Sequence, residues 1–418
     1  MQTYAYGFPR LGKNREFKKH IENFWEGKTS DEDLISSLDV LEQQRLEFYS
    51  EYIDTFVLGE FTYYDNIFDN AFIFGIYKFK NLDDYFEYAR GKKSLELKKY
   101  FNTNYHYLVP VISKNTKFDL SWNKPLFYFK TFFSFKDDPV FLIGPYTFLK
   151  LCRLEDNLSF AKAFAALTDA YCELFKEFEA EGIGSVHIEE PAFCLDVTTK
   201  EIELIKKVYK KILAFSFKTN LITYYESVDF LKSLYELPFD SIGLDFVAGE
   251  ENLKNIKKIG FPKDKKLICG IVNGRSVQRS NILNKVKLVE TIRKHSRLSQ
   301  ENILISNSCP MYHLPVTLEN EGKLDPEVKS KISFAKERLY ELSLVKEVLE
   351  GKKSRVQGWS KGAGEPPPKS SRKIFSTLSL GDSKFRKRKK LQQQPLNLPL
   401  FPTTTIGSFP QDKELRKL

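Results

Sequence analysis

The amino-acid sequence predicts an α/β protein whose first 350 residues form a (β/α)8 barrel of the TIM type. Eight short apolar runs are typical of strands, and the segments between them have the apolar and charged spacing of helices. Most of the runs are apolar through their middles, as parallel strands buried on both faces are. The predicted strands are residues 4–8, 55–59, 140–144, 185–189, 220–224, 242–246, 267–271 and 303–307.

Polar and charged residues gather where these predicted strands end. Barrel enzymes place their chemistry at the carboxyl ends of the strands, so a recurring polar set favours a functional rim. A strand also ends where the chain meets water, and for any single position that explanation is equally good. The residues concerned are Glu60, Glu189, Glu190, Glu226, Asp245, Asn273 and Asn307.

Two segments depart from the regular alternation. Residues 61–138 are too long for one crossover, so additional helices are expected there, together with the aromatic segment 101–107. Residues 351–395 are predicted to be a basic linker, because they are rich in Lys, Arg, Ser and Gly and contain three consecutive prolines.

The net charge of +10 is concentrated in that linker. Residues 351–390 contain 13 Lys or Arg against two acidic residues, an excess of +11, so the rest of the chain is near neutral at −1. The basic run at 385–390 could contact phosphates. It lacks interleaved aromatic residues, however, and a solvated helix face or a linker is the favoured explanation. Nucleic-acid binding is therefore not expected.

Beyond the linker, residues 396–418 are predicted to begin a second barrel. The Gly-Phe-Pro of residues 7–9 precedes the Arg-Glu-Phe-Lys of residues 15–18, much as residues 407–410 precede residues 414–417. One short repeat is a weak signal. Its position is that of the first strand and first helix of a duplicated barrel, so we expect a truncated second barrel here.

Arg15 and Lys18 are the first candidate binding residues. At helical spacing they share one face just after the first strand, where guanidinium and ammonium groups can bind carboxylates. Lys99, next to the aromatic segment, could be a third cation. The alternative is a solvated basic face, and composition alone favours it.

The adjacent carboxylates Glu189 and Glu190 could serve as a base, a metal ligand or a hydrogen-bond acceptor at the rim. Pairing with rim arginines is a slightly favoured alternative. Metal binding by this chain is not expected, because its five histidines form no HxxxH or HxC pattern and its five cysteines form no CxxC pair. Cys309 lies close to His313, which is weak support for a site.

Other classes of function have little support in the sequence. Neither a Walker A sequence nor GxGxxG follows a predicted strand, so nucleotide binding is not expected. No apolar run approaches the roughly 20 residues that span a bilayer, so we expect no membrane association. The scattered cysteines fit a reducing compartment, and the cytoplasm is the predicted location.

Several segments together resemble cobalamin-independent methionine synthases, zinc enzymes that transfer a methyl group from 5-methyltetrahydropteroyl-polyglutamate to homocysteine. The segments run in order across nearly the whole chain, and the first, second and last of them are specific. They are residues 7–10 with 15–18, 101–107, 189–192, 271–275, 306–309 and 398–411.

That family is built from two face-to-face (β/α)8 barrels of duplicated origin. The resemblance implies contacts to both substrates, and a glutamate tail needs several cations, so it favours binding over a solvated basic face. The implied contacts to the folate and its tail are Arg15, Glu16, Phe17, Lys18 and Lys99. The implied homocysteine segment is Ile406, Gly407 and Ser408.

The resemblance also implies zinc, for which this sequence has no ligands. In the family, zinc presents homocysteine as a thiolate and the folate nitrogen is protonated, because a tertiary amine is a poor leaving group. The ligands, an HxC pair, a glutamate and a later cysteine, lie in the second barrel with the proton-donating histidine. The equivalent strand end here is Tyr224-Tyr225-Glu226. We therefore expect no metal, no cobalamin and no catalytic residue in this chain.

The expected function is the amino-terminal part of a methionine-synthesising methyltransferase, inactive without its carboxy-terminal zinc barrel. Its folate-tail-binding barrel would span 1–350, its linker 351–395 and the start of the catalytic barrel 396–418. The alternative is a non-catalytic polyglutamate-folate-binding module, or a half-enzyme complemented by a separate zinc barrel. Residues 351–383 do not match the family's connecting segment. A frame disturbance, a divergent linker or a cloning boundary could each produce that difference.

Overall fold

The eight apolar runs of the sequence are eight parallel strands of a single curled sheet, as predicted. The computed structural model describes residues 1–352, 356, 359 and 382–403. Four short strands lie outside the curled sheet. The strands are β1 (Gln2–Ala5), β2 (Thr55–Phe56), β3 (Leu97–Lys99), β4 (His106–Leu108), β5 (Val111–Ile112), β6 (Val140–Ile143), β7 (Arg153–Leu154), β8 (Ser185–Glu189), β9 (Lys218–Ile222), β10 (Ser241–Asp245), β11 (Lys266–Val272) and β12 (Ile303–Asn307).

The strand order in the curled sheet is β2-β1-β12-β11-β10-β9-β8-β6, and neighbouring strands are parallel. The two edges of this order meet just beyond β2. There Leu58 donates its N–H to the carbonyl oxygen of Pro139 (3.0 Å) and accepts a hydrogen bond from the N–H of Phe141 (2.8 Å). The sheet therefore curls until its edges are hydrogen-bonded, and the carboxyl ends of all eight strands form one rim.

Helices cover the outside of the sheet, which explains why its strands are apolar on both faces. Every residue of β6, β10 and β12 is buried. The helices in the same part of the chain as the sheet are α1 (Glu16–Trp25), α2 (Asp31–Tyr52), α3 (Asn66–Ile73), α4 (Leu82–Arg90), α5 (Lys124–Thr131), α6 (Pro145–Leu151), α7 (Phe160–Ala180), α8 (Thr199–Ile212), α9 (Leu231–Leu234), α10 (Glu250–Ile259), α11 (Ile282–Ser296), α12 (Pro326–Ser330) and α13 (Ala335–Leu349). A further helix, α14 (Asp382–Leu396), belongs to a separate unit of the chain.

Side-chain caps determine where several of these helices begin. Ser30 accepts a hydrogen bond from the backbone N–H of Asp33 (3.1 Å), and the carboxylate of Asp33 accepts one from the N–H of Ser30 (3.3 Å). Thr198 and Glu201 form the same reciprocal box at the start of α8. These pairs satisfy donors that the first turn of a helix leaves without partners, so α2 and α8 begin at sites that the local sequence specifies.

The long segment between β2 and β6 contains the expected additional elements. Three helices, α3, α4 and α5, lie in it, and the aromatic segment 101–107 forms the turn of an antiparallel hairpin between β3 and β4 and the first two residues of β4. The carboxylate of Asp65 caps α3 at the N–H of Phe68 (2.7 Å) and also accepts from the N–H of Leu108 in β4 (2.9 Å). This shared acceptor ties the hairpin to the body of the fold.

The chain divides into two units, Met1–Gly364 and Glu365–Leu418. In the second unit the basic run 385–390 lies in α14, and the side chains of residues 387–390 are exposed. Residues 397–403 form no strand, and residues 404–418, which include Ile406, Gly407 and Ser408, lie outside the described residues. The truncated second barrel is therefore not confirmed, and the domain bounds at 350 and 395 stay predictions. Across the described ranges, no helix is both long and apolar enough to cross a membrane.

Candidate functional site

Several of the polar rim residues are bonded to the loops that follow their own strands. The carboxylate of Asp245 accepts hydrogen bonds from the N–H groups of Val247 (2.7 Å) and Ala248 (2.8 Å). Asn307 donates to the carbonyl oxygens of Tyr6 (3.0 Å) and Cys309 (2.8 Å). These side chains shape turns at the rim, because they satisfy backbone groups that the ends of the strands leave unpaired.

The neighbours Glu189 and Glu190 face opposite sides of the sheet. Consecutive side chains at the end of a strand alternate between its faces. Glu190 points towards the helices, where it accepts from the N–H groups of Tyr146 (2.9 Å) and Thr147 (2.6 Å) and from the hydroxyl of Tyr209. It therefore caps the start of α6. Burial raises its pKa to about 7, against the effect of these donors.

Gly144 is required by this cap. A Cβ atom at residue 144 would lie 2.2 Å from a carboxylate oxygen of Glu190, much closer than two unbonded atoms can approach. The glycine lets the carboxylate reach the first N–H groups of α6, whose partial positive charge favours an anion. Glu190 thus has a structural role.

Glu189 points into the interior of the curled sheet and belongs to a buried hydrogen-bond chain. One of its oxygens lies 3.2 Å from Nε2 of His187, and the other accepts from the hydroxyl of Tyr224 (2.7 Å). Nδ1 of His187 lies 2.7 Å from the hydroxyl of Tyr4, and the hydroxyls of Tyr224 and Tyr100 are 3.0 Å apart. A neutral His187 protonated on Nε2 satisfies both of its contacts, because it then donates to Glu189 and accepts from Tyr4.

A cavity of about 230 Å3, the rim cavity, opens beside Glu189 at the carboxyl ends of the strands. Charged, polar and aromatic side chains all contribute to its wall. The lining residues are Gly7, Phe8, Pro9, Arg10, Leu11, Arg45, Glu60, Phe61, Thr62, Asn66, Tyr105, Phe141, Glu189 and Tyr312.

Glu60 and Arg45 form one wall of this cavity and are fully occupied by each other and by their neighbours. The carboxylate of Glu60 accepts from the N–H groups of Gly7 (2.7 Å) and Phe8 (3.2 Å), from the hydroxyl of Tyr49 (2.7 Å) and from Arg45. Arg45 also binds both oxygens of Glu42, one of them at 2.6 Å. Burial raises the pKa of Glu60, and the adjacent Arg45 counters that rise.

A second hollow of about 470 Å3, the α1 cleft, adjoins the rim cavity and shares Arg10, Leu11 and Tyr105 with it. One wall is α1 and the other is the β3–β4 hairpin. The lining residues are Arg10, Leu11, Phe17, Lys18, Ile21, Glu22, Trp25, Tyr63, Tyr64, Leu97, Asn104, Tyr105 and His106. The two hollows therefore lie next to each other, and Arg10 is part of the wall of both.

One of the cations predicted from the sequence, Lys18, lines the α1 cleft, and the other two lie in or next to the elements that form its walls. Lys18 lines it and pairs with Glu22 at 3.6 Å, both exposed. Lys99 pairs with His106 across the hairpin and lies two residues from Leu97, so it shares a sheet face with two residues of the cleft wall. Arg15 precedes the first turn of α1 with the left-handed angles φ 63° and ψ 35°. In the described part of the chain, neither Arg15 nor Lys99 has a salt-bridge partner.

Glu16 and Phe17 have packing roles. The carboxylate of Glu16 accepts from the backbone N–H (2.8 Å) and the side-chain amide (2.9 Å) of Asn14, which holds the turn before α1. Phe17 is buried, packs edge-on against Phe61 at 5.9 Å between ring centroids, and lies under the guanidinium of Arg10 at 4.6 Å. These contacts orient α1 so that Lys18 faces the cleft.

The sequence pattern did not identify the aromatic group around Tyr225. Its hydroxyl lies 2.8 Å from Nε2 of His313 and 3.1 Å from the hydroxyl of Tyr312, and Arg275 lies over its ring at 5.3 Å. Tyr225 has φ 79°, which is rare for an aromatic residue. Arg275, Tyr312 and His313 lie 50 to 88 positions after Tyr225 in the chain, so no local motif could have revealed the group.

Nε2 of His313 is hydrogen-bonded to the hydroxyl of Tyr225 and not to Cys309. Within the described ranges, no group of three His, Cys, Asp or Glu side chains is placed to hold a metal ion. The five cysteines, all within residues 1–352, are free thiols.

Comparisons with known proteins agree on one family. The sequence profile described as "Cobalamin-independent synthase, N-terminal domain" matches residues 2–297. The 5-methyltetrahydropteroyltriglutamate–homocysteine methyltransferase of Thermotoga petrophila is 38% identical over 432 residues, which cover 100% of this chain and 57% of the relative. The enzyme of the same name from Halalkalibacterium halodurans is 33% identical, with 100% and 58% covered. The chain thus spans less than two thirds of the length of these relatives.

A solved structure is also similar. It is a B12-independent methionine synthase from a Shewanella species in complex with selenomethionine, with a TM-score of 0.59 and 16% sequence identity. The match covers 78% of this chain and 91% of that one. At this level of identity the likeness shows a shared fold.

The structural role of Glu190 predicts a loss of stability on its removal. Glu190→Ala leaves two backbone N–H groups and the hydroxyl of Tyr209 without their acceptor, so the free energy of unfolding should fall by about 2 kcal/mol or more. Urea unfolding measures the change. Glu181→Ala, at an exposed site, is the control and should change stability by less than about 0.5 kcal/mol. Equal stability of the two variants would contradict the cap.

The surroundings of His313 predict an unusually acidic imidazole. Burial, assisted by the charge of Arg275, lowers its pKa to about 4. Because the folded pKa lies below the unfolded value, His313 supports folding above about pH 6.5 and this support is lost as the pH falls towards 4. An NMR titration of the imidazole, assigned with His313→Asn, should give a midpoint near 4. A midpoint of 6 or higher would show that the site is open to water.

Proposed function

The chain belongs to the cobalamin-independent synthase family, whose amino-terminal domain it matches over residues 2–297, and we propose that it binds 5-methyltetrahydropteroyl-polyglutamate for methyl transfer to homocysteine. The observation that supports this proposal is the α1 cleft, which Lys18 lines. Lys99 pairs with His106 of the hairpin wall, and Arg15 directly precedes the helix that forms the other wall. The names of the curated relatives supply the substrate class.

The chemistry of a glutamate tail suits this arrangement. Each added glutamate contributes carboxylates that can form charge-assisted hydrogen bonds with ammonium and guanidinium groups. Arg15 and Lys99 form no salt bridge in the described part of the chain, and Lys18 has an exposed partner, Glu22, at 3.6 Å. All three can therefore bind a ligand carboxylate without breaking a buried ion pair. The start of α1 adds the partial positive charge of a helix N-terminus.

The aromatic residues of the cleft would contact the less charged part of the ligand. Trp25, Tyr63, Tyr64 and Tyr105 line the cleft and present apolar ring surface next to the cations. In this proposal Glu16 and Phe17 act by holding Arg15 and Lys18 in position, since both are occupied by contacts within the protein.

We propose that the zinc site and the homocysteine site of the family lie outside the described residues. Zinc does not fit the described residues: Tyr224 is bonded to Glu189, Glu226 is exposed, and no triad of metal-binding side chains is present there. We propose that zinc and its ligands come from a carboxy-terminal barrel, with no role for cobalamin. Homocysteine would lie near Ile406, Gly407 and Ser408.

The proposed organisation is a (β/α)8 barrel over residues 1–350, a linker over 351–395 and the start of a catalytic barrel over 396–418. The curled sheet with hydrogen-bonded edges supports the first of these parts. The match covers 57% of the Thermotoga petrophila relative, so that protein has further sequence in addition to the part matched here. This difference in length supports the proposal that residues 396–418 begin a second barrel. A cytoplasmic location stays a prediction from cysteine use.

Binding should grow stronger with the length of the glutamate tail. Calorimetric titration of the 418-residue chain with 5-methyltetrahydrofolate carrying one, two or three glutamates should give rising affinity. Arg15→Ala, Lys18→Ala and Lys99→Ala should each weaken triglutamate binding by roughly two- to fivefold, since each removes one exposed ion pair. Lys130→Ala, which removes a cation that pairs with Glu181 away from the cleft, is the control. Equal affinity for one and three glutamates would contradict the proposal.

The chain by itself should not transfer methyl groups. Purified protein incubated with zinc, homocysteine and 5-methyltetrahydropteroyltriglutamate should form no methionine, whereas the Thermotoga petrophila relative under the same conditions should. Adding the carboxy-terminal part of that relative as a separate protein tests for a complemented half-enzyme. Methionine formed by the 418-residue chain alone would overturn the assignment of the catalytic residues to another barrel.

A further inference from the structure

The rim cavity has a buried carboxylate that forms no salt bridge with a Lys or Arg of the described residues. Glu189 is 4% exposed and lines the cavity. Its hydrogen-bond donors are His187 and Tyr224, and no Lys or Arg of the described residues forms a salt bridge with it. A buried charge is costly unless an opposite charge accompanies it, so a cationic group in the cavity would stabilise Glu189.

The same cavity has a guanidinium, that of Arg10, whose charge lowers the pKa of the buried Asp65 without forming a salt bridge with it. Arg10 donates to the carbonyl oxygen of Thr62 (3.1 Å) and lies over the ring of Phe17 at 4.6 Å. No carboxylate in the described part of the chain forms a salt bridge with it. A guanidinium has five N–H donors in a planar fork that matches a carboxylate, so Arg10 retains donors for one.

The other charged lining residues cannot serve a ligand in this way. Arg45 is shared between Glu42 and Glu60, and the oxygens of Glu60 already accept from Gly7, Phe8, Tyr49 and Arg45. Arg10 and Glu189 are therefore the two charged groups of the lining that remain available.

We propose that the rim cavity binds a zwitterionic α-amino acid with an apolar side chain, with Glu189 as the partner of its ammonium group and Arg10 as the partner of its carboxylate. The ligand carries one positive and one negative charge, so it offers a group of opposite charge to both Glu189 and Arg10. This site is separate from the tail contacts and does not rest on the function proposed above.

The size and remaining lining of the cavity agree with such a ligand. A volume of about 230 Å3 is below the roughly 300–1,000 Å3 of sites for drug-sized molecules, so it suits a smaller one. Phe8, Phe61 and Phe141 complete the wall with apolar ring surface, which favours an aliphatic side chain over a charged one. A simple amine would leave Arg10 unpaired, and a simple carboxylate would leave Glu189 unpaired.

Three probes that differ by one charged group test the proposal on the unaltered 418-residue chain. L-Norleucine carries both charges, hexanoate lacks its ammonium group, and pentylamine lacks its carboxylate. Calorimetric titration should show norleucine binding at least about tenfold more tightly than either analogue, because each analogue loses a charge-assisted contact. Equal affinities for the three probes, or no binding of norleucine at millimolar concentration, would overturn the proposal.

Variants then assign the two contacts. Glu189→Gln should weaken the binding of norleucine by about tenfold or more and should also weaken the binding of pentylamine. Arg10→Met should weaken the binding of norleucine by about tenfold or more and should also weaken the binding of hexanoate. Matched controls are Glu181→Gln and Lys130→Met, a surface pair that lines neither hollow. Norleucine binding that survives both cavity substitutions in folded protein would place the amino acid elsewhere.

Binding of the folate tail and binding of the amino acid can be tested independently. Arg15→Ala should reduce binding of the folate triglutamate and leave norleucine binding unchanged, because Arg15 does not line the rim cavity. Glu189→Gln should reduce norleucine binding and leave triglutamate binding unchanged, because Glu189 does not line the α1 cleft. Loss of both ligands in either variant would show a single shared site and would contradict the separate amino-acid site.

Discussion

The parallel pairing of eight strands around one curled sheet is the constraint on which the rest of the structure depends. Once Leu58 joins the edge of the sheet to Pro139 and Phe141, every strand residue must face either the interior or the surrounding helices. All eight strands then present their carboxyl ends at one rim. The position of a side chain in the strand decides whether it can reach the rim cavity or can only support a helix.

Four buried acidic residues at this rim show how the fold distributes negative charge. Glu60 is balanced by Arg45 and by backbone N–H groups, Glu190 by the start of α6, and Asp245 by the turn that follows β10. Burial raises the pKa of Asp245 to about 6, against the effect of those N–H donors. Glu189 differs, because its donors are one histidine and one tyrosine and its charge faces a cavity. A cationic group of a ligand in this cavity can therefore pair with the carboxylate of Glu189.

The two hollows of the first unit suit different kinds of ligand. The α1 cleft is lined by the exposed cation Lys18 and by aromatic rings, and a polyanion bound there would make weak contacts with water nearby. The rim cavity is smaller, is lined by aromatic rings and has one available charge of each sign, which suits a compact zwitterion. Arg10 lies where they meet and lines both.

The sequence by itself determined the eight strands, the extra helices before β6 and the cations at α1, because these depend on local periodicity and on short segments such as residues 15–18. It could not separate Glu189 from Glu190, since their roles follow from which face of β8 each one occupies. Nor could it identify Arg10 as a ligand-binding candidate or group Tyr225 with His313, because residues far apart in the chain meet there only after the sheet curls. Local patterns specify elements, and the tertiary structure decides which side chains share a cavity and which charges remain unpaired in it.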